Sequence, residues 1–342
     1  MSEAEILFER QGGLGRIVLN RPKALNALTL DQVHALHPQL EAWAADDAVT
    51  VVVIEGAGEK AFCAGGDIRA LYDAAKAGQM EHVATFYRDE YRLNRKIKTY
   101  GKPYVAMIDG IVMGGGVGVS VHGRYRVAGD RTLFAMPETG IGFFPDVGGA
   151  YFLPRCPGQL GMYLGLTGAR LKAADCLYAG IATHFVPSAR KDEVRAALAE
   201  AEDVKAVLDA FHADPGPAPL AARRDLIDRC FAADSYDGVL AALAVEDDAF
   251  AADTLAAING KSPTAGKVAF EQIRRGAALD FDACMAMEFR LSQVYAPAAD
   301  FIEGIRAVII DKDGKPVWAE PASTEAVARA FDTVPACGDL SF

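Results

Sequence analysis

Two glycine-rich turns constrain the fold of this 342-residue chain more than any other feature of its sequence. CAGGDI (residues 63–68) and MGGGVGVS (residues 113–120) each follow an apolar run typical of a strand and lead into a helical pattern. This alternation predicts an α/β fold. Glycine lets a backbone approach a ligand closely, and the first N–H groups of a helix have no acceptor within that helix. The turns therefore predict either a pair of amides for a ligand oxygen or tight packing of helix on strand.

The periodicity of the rest of the sequence divides the chain into two regions. The pattern predicts, in turn, a strand, a helix, a strand and a helix over residues 15–22, 29–47, 50–58 and 81–98. Thr29 and Gln32 form a capping box at the start of the first helix. HADPGPAPL (residues 212–220) is typical of a linker, and helical periodicity follows it. Because a chain longer than about 250–300 residues seldom forms one compact core, we expect an α/β core over residues 1–210 and a mainly helical C-terminal region over residues 211–342.

Charge and cysteine content argue against several classes of protein. The formal net charge of -11 argues against binding to nucleic acid or to an anionic membrane. The chain has no run of 18 apolar residues, and MSEAEILFER at its start lacks the apolar segment of a signal peptide. Its six cysteines are scattered, which fits reduced thiols and a cytoplasmic location. The histidine spacing matches no metal motif, so we expect no metal.

One turn-rich segment carries two acids. PETGIGFFPDVGG (residues 137–149) sets Glu138 and Asp146 eight positions apart, and its glycines and Pro145 argue against a continuous helix. A buried carboxylate is costly unless it is paired or used, so the segment predicts an acid pair at one site. The alternatives are that Glu138 caps a helix while Asp146 closes an Asx turn, or that the pair serves a glycosidase.

The order of these motifs resembles the crotonase superfamily, also called the enoyl-CoA hydratase/isomerase family. Strand, FCAGGD, helix, strand, GGG turn, helix, strand and a later PE follow one another over residues 5–200 as they do in that family, and RPKALNAL (residues 21–28) matches the stretch that holds coenzyme A there. The resemblance implies a crotonase-like spiral of ββα units. It also implies that the amides of Gly66 and Gly115 bind the thioester carbonyl oxygen. The residues it implies for the CoA-binding region are Lys23, Ala24, Leu25, Gly65, Asp67 and Ile68.

The acids distinguish the branches of this family. Enoyl-CoA hydratases resemble one another in having one glutamate just after the GGG turn, where this chain has Gly118, and another in the later PE, here Glu138. The departure at Gly118 counts against hydratase activity. MPETGIGFFPDVGGAYFLPR and DEYRLN instead resemble 3-hydroxyisobutyryl-CoA hydrolases, a branch that cleaves the thioester. Further matches to that branch are KSPTAGKVAF, MAMEFRL and DFIEGIRAVIIDKDGKPVW, at residues 261–270, 285–291 and 300–318.

The resemblance to this branch implies hydrolysis of a short branched β-hydroxyacyl-CoA, with 3-hydroxyisobutyryl-CoA giving 3-hydroxyisobutyrate and free CoA in valine breakdown. Glu138 is then a nucleophile or a general base. Asp146 orients the water or the substrate hydroxyl, or protonates the leaving group. Glu90 reaches the substrate, unless it is a surface glutamate paired with Arg88 or Lys96.

The same resemblance bears on cofactors and partners. Coenzyme A is part of the substrate, so no separate cofactor is expected. The implied partner is the acyl-CoA, and the family is compatible with a homo-oligomer. Two other functions stay open: an enoyl-CoA hydratase or isomerase, and a crotonase-fold subunit that binds without catalysis.

Overall fold

The computed structural model describes residues 4–342. The segment MSEAEILFER, predicted to lack a signal peptide, therefore has its first three residues outside the described residues. The strands are β1 Ile6–Gln11, β2 Leu14–Leu19, β3 Val51–Gly56, β4 Ala61–Cys63, β5 Tyr104–Met107, β6 Ile111–Met113, β7 Tyr125–Ala128, β8 Leu133–Ala135 and β9 His184–Phe185. The helices of the first half are α1 Leu30–Ala45, α2 Ile68–Lys76, α3 Met80–Lys98, α4 Gly115–Gly118, α5 Gly149–Phe152, α6 Leu160–Thr167 and α7 Ala173–Tyr178. Those of the second half are α8 Lys191–Ala199, α9 Val204–Phe211, α10 Arg224–Phe231, α11 Tyr236–Ala244, α12 Ala249–Asn259, α13 Pro263–Gly276, α14 Phe281–Tyr295, α15 Ala299–Ile305 and α16 Thr324–Asp332.

The described strands all belong to one of two compact units. Unit 1 comprises residues 1–66, 92–135 and 170–221. Its larger sheet has the order β1-β2-β3-β5-β7-β9 and its smaller sheet the order β4-β6-β8. The pairs β3–β4, β5–β6 and β7–β8 each contribute their first strand to the larger sheet and their second to the smaller one. This alternation, with helices following the strand pairs, confirms the predicted spiral of ββα units.

Helix α1 forms as its sequence predicts. The Thr29 hydroxyl accepts from the Gln32 N–H at 3.2 Å, and the Gln32 side chain accepts from the Thr29 N–H at 2.9 Å. Both bonds of the predicted capping box are therefore present, and they satisfy two N–H groups near the helix start. The apolar positions of the helical pattern are buried: Val33, Leu36, Leu40 and Trp43.

The core of unit 1 lies against one face of the larger sheet. Alternate residues of a strand point to the same face, so Val51 and Val53 of β3 join Val105 of β5 and Val127 of β7 in one buried cluster. Helices α8 and α9 cover this cluster with Val194, Leu198, Val204 and Leu208. The prediction of β3 as a buried strand is confirmed.

Unit 2 comprises residues 67–91, 136–169 and 222–342, and the regular elements described in it are all helical. Gly276, at the end of α13, lets that helix approach α5 closely, because a Cβ there would collide with the backbone of Ala150. Residues 212–218 form neither helix nor strand, whereas Pro219–Arg223 form a 3-10 helix that includes the last two residues of the predicted linker. A linker at residues 212–220 stays a prediction. Both units are discontinuous in sequence, whereas the division at residue 210 stays a prediction.

Candidate active site

The two glycine turns lie side by side in unit 1. Strands β4 and β6 pair in parallel, so the turns that follow their carboxyl ends share one edge of the smaller sheet. A Cβ built on Gly65 would lie 3.6 Å from the Met113 carbonyl oxygen. Gly66 and Gly115, the predicted oxyanion residues, therefore occupy neighbouring turns.

The second turn both begins a helix and packs closely on a strand. Helix α4 begins at Gly115, and the N–H of the first helical residue has no acceptor inside its own helix. The next residue, Gly116, packs so closely on β4 that a Cβ would collide with the Cys63 carbonyl oxygen. Gly116 thus allows the tight packing, and that packing fixes where the Gly115 amide lies.

The predicted CoA-binding residues of unit 1 lie beside the first glycine turn. Lys23 and Ala24 belong to a 3-10 helix, and Leu25 follows it with a φ of +51°. The Ala64 N–H donates to the Leu25 carbonyl at 3.0 Å, one residue before Gly65. Two stretches about 40 residues apart in sequence are thereby held together, and their role toward CoA stays a prediction.

Asn26 fixes this loop, a role that the sequence reasoning missed. Its side chain is fully buried. The side-chain oxygen accepts from the Arg21 N–H at 3.0 Å, and the amide group donates to the carbonyls of Ala57 at 3.0 Å and Ala61 at 2.8 Å. Its φ of +56° is one that asparagine tolerates better than most residues. An asparagine inside RPKALNAL was the available signal.

The two remaining predicted CoA-binding residues lie at the start of α2 in unit 2. The Asp67 side chain accepts from the Ala70 N–H at 3.4 Å and so caps the helix, and Ile68 is its first residue. This capping accounts for the aspartate structurally. A role for either residue toward CoA stays a prediction.

Three carboxylic acids form a buried cluster in unit 2, here called the acid cluster: Glu90, Glu138 and Asp146. Their exposed fractions are 2%, 6% and 7%. Tyr91 donates from its hydroxyl to Asp146 Oδ2 at 3.0 Å. Among residues 4–342, Glu90 Oε1 and Glu138 Oε2 are buried without a hydrogen-bond partner. Burial of Glu90 makes the surface-glutamate alternative wrong.

Burial changes the ionisation of all three acids. It raises the pKa of Asp146 to about 7, against the opposing hydrogen bond from Tyr91. Burial, followed by the charge of Asp146, raises the pKa of Glu90 and of Glu138 well above the usual range of a glutamate. The positive charge of Lys261 acts in the opposite direction on Glu138. The acids thus keep their protons to a higher pH than exposed carboxyl groups do, and they titrate as a group.

Aromatic rings surround the acid cluster. Phe143 stacks on Tyr87 with ring centroids 5.6 Å apart and on Phe144 at 4.3 Å. Phe301, from α15, lies 5.1 Å from Phe143, and Tyr91 lies 5.8 Å from Tyr87. Such a setting has a low dielectric and disfavours carboxylate charge, which accounts for the direction of the pKa changes.

The segment that carries Glu138 and Asp146 is a turn, as its glycines and proline predict. Glu138 lies inside a short 3-10 helix at residues 138–141, whose N-cap is Pro137, so Glu138 does not cap a helix. An Asx turn at Asp146 would use the Gly148 N–H, but that N–H donates to Glu288 at 2.7 Å. Neither structural alternative for the two acids holds, and the segment brings both into the acid cluster.

Within residues 4–342 the histidines, cysteines and acids form no group of three that could hold a metal ion. In the same part of the chain, every helix is too short or too polar to cross a membrane.

Comparison with known proteins places this geometry in context. The family model described as enoyl-CoA hydratase/isomerase matches residues 14–333. The Danio rerio protein named 3-hydroxyisobutyryl-CoA hydrolase, mitochondrial, is 49% identical over 96% of this chain and 88% of its own length. The structure of a carnitinyl-CoA dehydratase from Mycobacterium thermoresistibile is 42% identical with a TM-score of 0.94, covering 99% of each chain. That of an enoyl-CoA hydratase from Rhodobacter sphaeroides 2.4.1 is 38% identical with a TM-score of 0.92, covering 99% of this chain and 100% of the other.

Proposed function

The chain belongs to the enoyl-CoA hydratase/isomerase family, and we propose that it hydrolyses the thioester of 3-hydroxyisobutyryl-CoA to 3-hydroxyisobutyrate and free CoA. The observation that carries this proposal is the position of the second acid. Residue 118 is a glycine inside α4, whereas Asp146 joins Glu138 in the acid cluster. Relatives named for this hydrolase, 45–49% identical, support the same reaction. Valine breakdown is the pathway this substrate implies.

The proposed reaction breaks the C–S bond and adds the oxygen of water to the acyl carbon. The N–H groups of Gly66 and Gly115 bind the carbonyl oxygen and stabilise the negative charge that develops on it. One such donor is worth about 3–4 kcal/mol to the transition state. The position of Gly115 at the start of α4 supports this role, because the N–H of a first helical residue has no acceptor within the helix.

Glu138 acts as a carboxylate in one of two ways. It attacks the acyl carbon itself and forms an anhydride that water then opens, or it removes a proton from the attacking water. Asp146, with a pKa raised to about 7, exists in both protonation states near neutral pH. It can therefore orient the water or the substrate hydroxyl as a carboxylate, or protonate the departing CoA thiolate as an acid. Glu90 contacts the acyl group.

The residues proposed to bind substrate belong to the loop of unit 1 or, for Asp67 and Ile68, to the start of α2 in unit 2. Lys23 lies exposed on that loop, so its charge is available to the phosphates of CoA without a cost of burial. Leu25 and Gly65 lie near each other through the bond between Ala64 and Leu25. The remaining residues proposed to contact CoA are Ala24, Asp67 and Ile68.

The proposal extends to the setting of the enzyme. Coenzyme A enters as part of the substrate and no resident cofactor takes part. The partner is an acyl-CoA rather than nucleic acid or a membrane, and a homo-oligomer is the proposed assembly. All six cysteines are free thiols, which supports a reducing location such as the cytoplasm.

A second candidate is hydration or dehydration of an acyl-CoA, favoured by the names of the two solved structures. A third is a subunit that binds acyl-CoA without catalysis. Release of free thiol and loss of the crotonyl double bond, followed together, separate all three. Hydrolysis releases thiol, hydration removes the double bond with the thioester intact, and a binding subunit changes neither bond.

The test follows thiol release with a thiol-reactive dye on 3-hydroxyisobutyryl-, 3-hydroxypropionyl-, acetyl- and crotonyl-CoA. We expect rapid release from the hydroxyacyl thioesters and loss of at least about 100-fold in kcat for Glu138→Gln. Glu193→Gln is the matched control, since Glu193 is a surface acid paired with Arg190 at 3.2 Å. Consumption of the crotonyl double bond without thiol release would overturn the proposal in favour of a hydratase.

A further inference from the structure

The turn that carries Asp146 has an unfavourable backbone. Here the Asp146 turn means residues 145–150. Val147 has a φ of +51° and Gly148 a φ of +89°. A left-handed conformation is uncommon for a β-branched residue and persists where its surroundings impose it. Something outside the turn must therefore hold it.

Glu288 of α14 makes the contacts that hold the turn. Its Oε2 accepts from the Gly148 N–H and its Oε1 from the Ala150 N–H, each at 2.7 Å. The side chain is fully buried. The two bonds from backbone N–H groups fix the orientation of both peptide groups, and they act against burial, which raises the pKa of Glu288 to about 8. One of these peptide groups joins Val147 to Gly148, the two residues with positive φ, so it fixes the strained part of the turn. The other joins Gly149 to Ala150 and fixes the end of the turn.

Gln272 of α13 completes the arrangement. Its Nε2 donates to the Pro145 carbonyl at 2.7 Å and to Glu288 Oε1 at 3.2 Å. The amide thus links the first residue of the Asp146 turn to the carboxylate that holds the rest of it. Asp146 lies between these points of attachment, and its own side chain is left to accept from Tyr91.

We propose that Glu288 is a positioning residue for the reaction, holding the Asp146 turn so that the Asp146 carboxyl faces Glu90 and Glu138 in the acid cluster. The inference rests on the proposed function, because Asp146 matters to the reaction there. Glu288 itself bonds to backbone N–H groups of the turn, so it acts through Asp146 rather than on substrate.

Substitution of Glu288 should affect the chemical step more than substrate binding. In Glu288→Gln the side-chain NH₂ group faces one of the two backbone N–H groups, so one bond is lost while the shape is kept. We expect kcat to fall about 100-fold with KM changed less than about threefold, since a shift of about 1 Å in a catalytic group has an effect of that size. Glu288→Asp keeps the charge but is one methylene shorter, and we expect a loss of about 10-fold in kcat.

Ser292→Ala is the matched control on the same helix. Ser292 is fully buried and donates to the Phe289 carbonyl at 2.8 Å rather than bonding to the Asp146 turn. We expect this variant to keep kcat within about twofold of the wild type while losing some thermal stability. If Glu288→Gln and Ser292→Ala lowered kcat equally at equal loss of stability, Glu288 would have a structural role alone and the proposal would be wrong.

Amide hydrogen exchange provides a readout that needs no activity. The N–H groups of Gly148 and Ala150 should exchange slowly in the wild type and at least about 10-fold faster in the Glu288 variants. Rapid exchange of both amides in the wild type would show that Glu288 does not hold the Asp146 turn. This outcome would overturn the proposal even if Glu288→Gln failed to fold.

The substrate panel separates failure of this inference from failure of the proposed function. The wild type decides the reaction, and the ratio of variant to wild-type kcat in that reaction decides the role of Glu288. A hydratase outcome with a 100-fold effect in Glu288→Gln would overturn the hydrolase alone. Hydrolysis that Glu288→Gln leaves unchanged would overturn the positioning role alone.

Discussion

The Tyr91 hydroxyl donates a hydrogen bond to Asp146 Oδ2 across 3.0 Å inside the acid cluster. A donor of this kind stabilises the ionised carboxylate and lowers its pKa, while burial acts more strongly in the opposite direction. The balance leaves the Asp146 pKa at about 7. The acid thereby changes protonation state in the range where enzymes commonly work.

Tyr91→Phe should move this balance. The variant loses the donor, so the Asp146 pKa rises further, by about one unit for an interaction worth about 1.4 kcal/mol. The limb of the pH–kcat profile assigned to Asp146 should shift upward by that amount. Tyr100→Phe is the control, because the Tyr100 hydroxyl donates to the Leu40 carbonyl in unit 1. If this limb of the pH–kcat profile stayed at the same pH in Tyr91→Phe, ionisation of Asp146 would not control the pH dependence of kcat.

Stability should fall as the pH rises through the titration range of the buried acids. Glu90 has a pKa of 4.5 in its ordinary state and a much higher one in the folded protein, chiefly because of burial. Between these values the folded state holds a proton that the unfolded chain has lost, so the free energy of unfolding decreases with increasing pH. We expect a higher Tm at pH 5 than at pH 8, by about 2 °C per kcal/mol.

Glu90→Gln isolates this contribution. The amide carries no charge at any pH, so the variant should have a higher Tm than the wild type at pH 8 and a similar one at pH 5, while losing activity. Gains in stability at the expense of activity are common at functional sites. In Glu193→Gln, Tm should depend on pH as it does in the wild type. If Tm of Glu90→Gln also depended on pH as in the wild type, other groups would cause the pH dependence.

Local sequence signals were enough to predict the parts of the fold that depend on neighbours in the chain. The Thr29–Gln32 capping box and the fully buried run of β3 follow from residues that are close in sequence. The absence of a continuous helix between Glu138 and Asp146 follows from the glycines and Pro145. The carboxylates and the glycine turns were found in the same way, since acids inside an apolar segment and runs of glycine are visible in a sequence.

The contacts that support the acids depend on distant residues, so local patterns did not reveal them. Glu288 lies 142 positions after Asp146, counting from the sequence numbers. One signal was present: a single carboxylate flanked by Met287 and Phe289 in MAMEFRL is costly to bury unless it has partners. Tyr91 follows Glu90 directly, and adjacent helical residues point about 100° apart. Helical periodicity alone could not place both of them in one cluster.

Gly116→Ala should test whether close packing of the second glycine turn holds the Gly115 amide in place. The added methyl collides with the Cys63 carbonyl, so α4 must move away from β4 and the Gly115 amide moves with it. We expect a Tm lower by about 2–6 °C and a kcat reduced about 100-fold. Gly101→Ala is the control, because a Cβ there meets nothing within 4 Å. Normal kcat in Gly116→Ala would argue against an oxyanion role for Gly115.

Lys23 should contribute to binding through the charged part of CoA rather than the acyl group. It is exposed on the loop that Asn26 holds in place, and an exposed cation attracts phosphate weakly and in a salt-dependent manner. Lys23→Ala should therefore raise the KM for 3-hydroxyisobutyryl-CoA about fivefold at low ionic strength, with kcat unchanged. The difference should shrink as salt is added.

A truncated substrate makes the assignment of Lys23 specific. The pantetheine thioester of 3-hydroxyisobutyrate lacks the adenosine and all of the phosphates, so Lys23→Ala should leave its KM unchanged. Lys205→Ala is the control, since Lys205 is exposed in unit 1 and pairs with Asp209. If Lys23→Ala raised the KM of both substrates equally, the lysine would act by shaping the loop around Leu25. Equal KM values for wild type and variant on the full substrate would place the phosphates elsewhere on the protein.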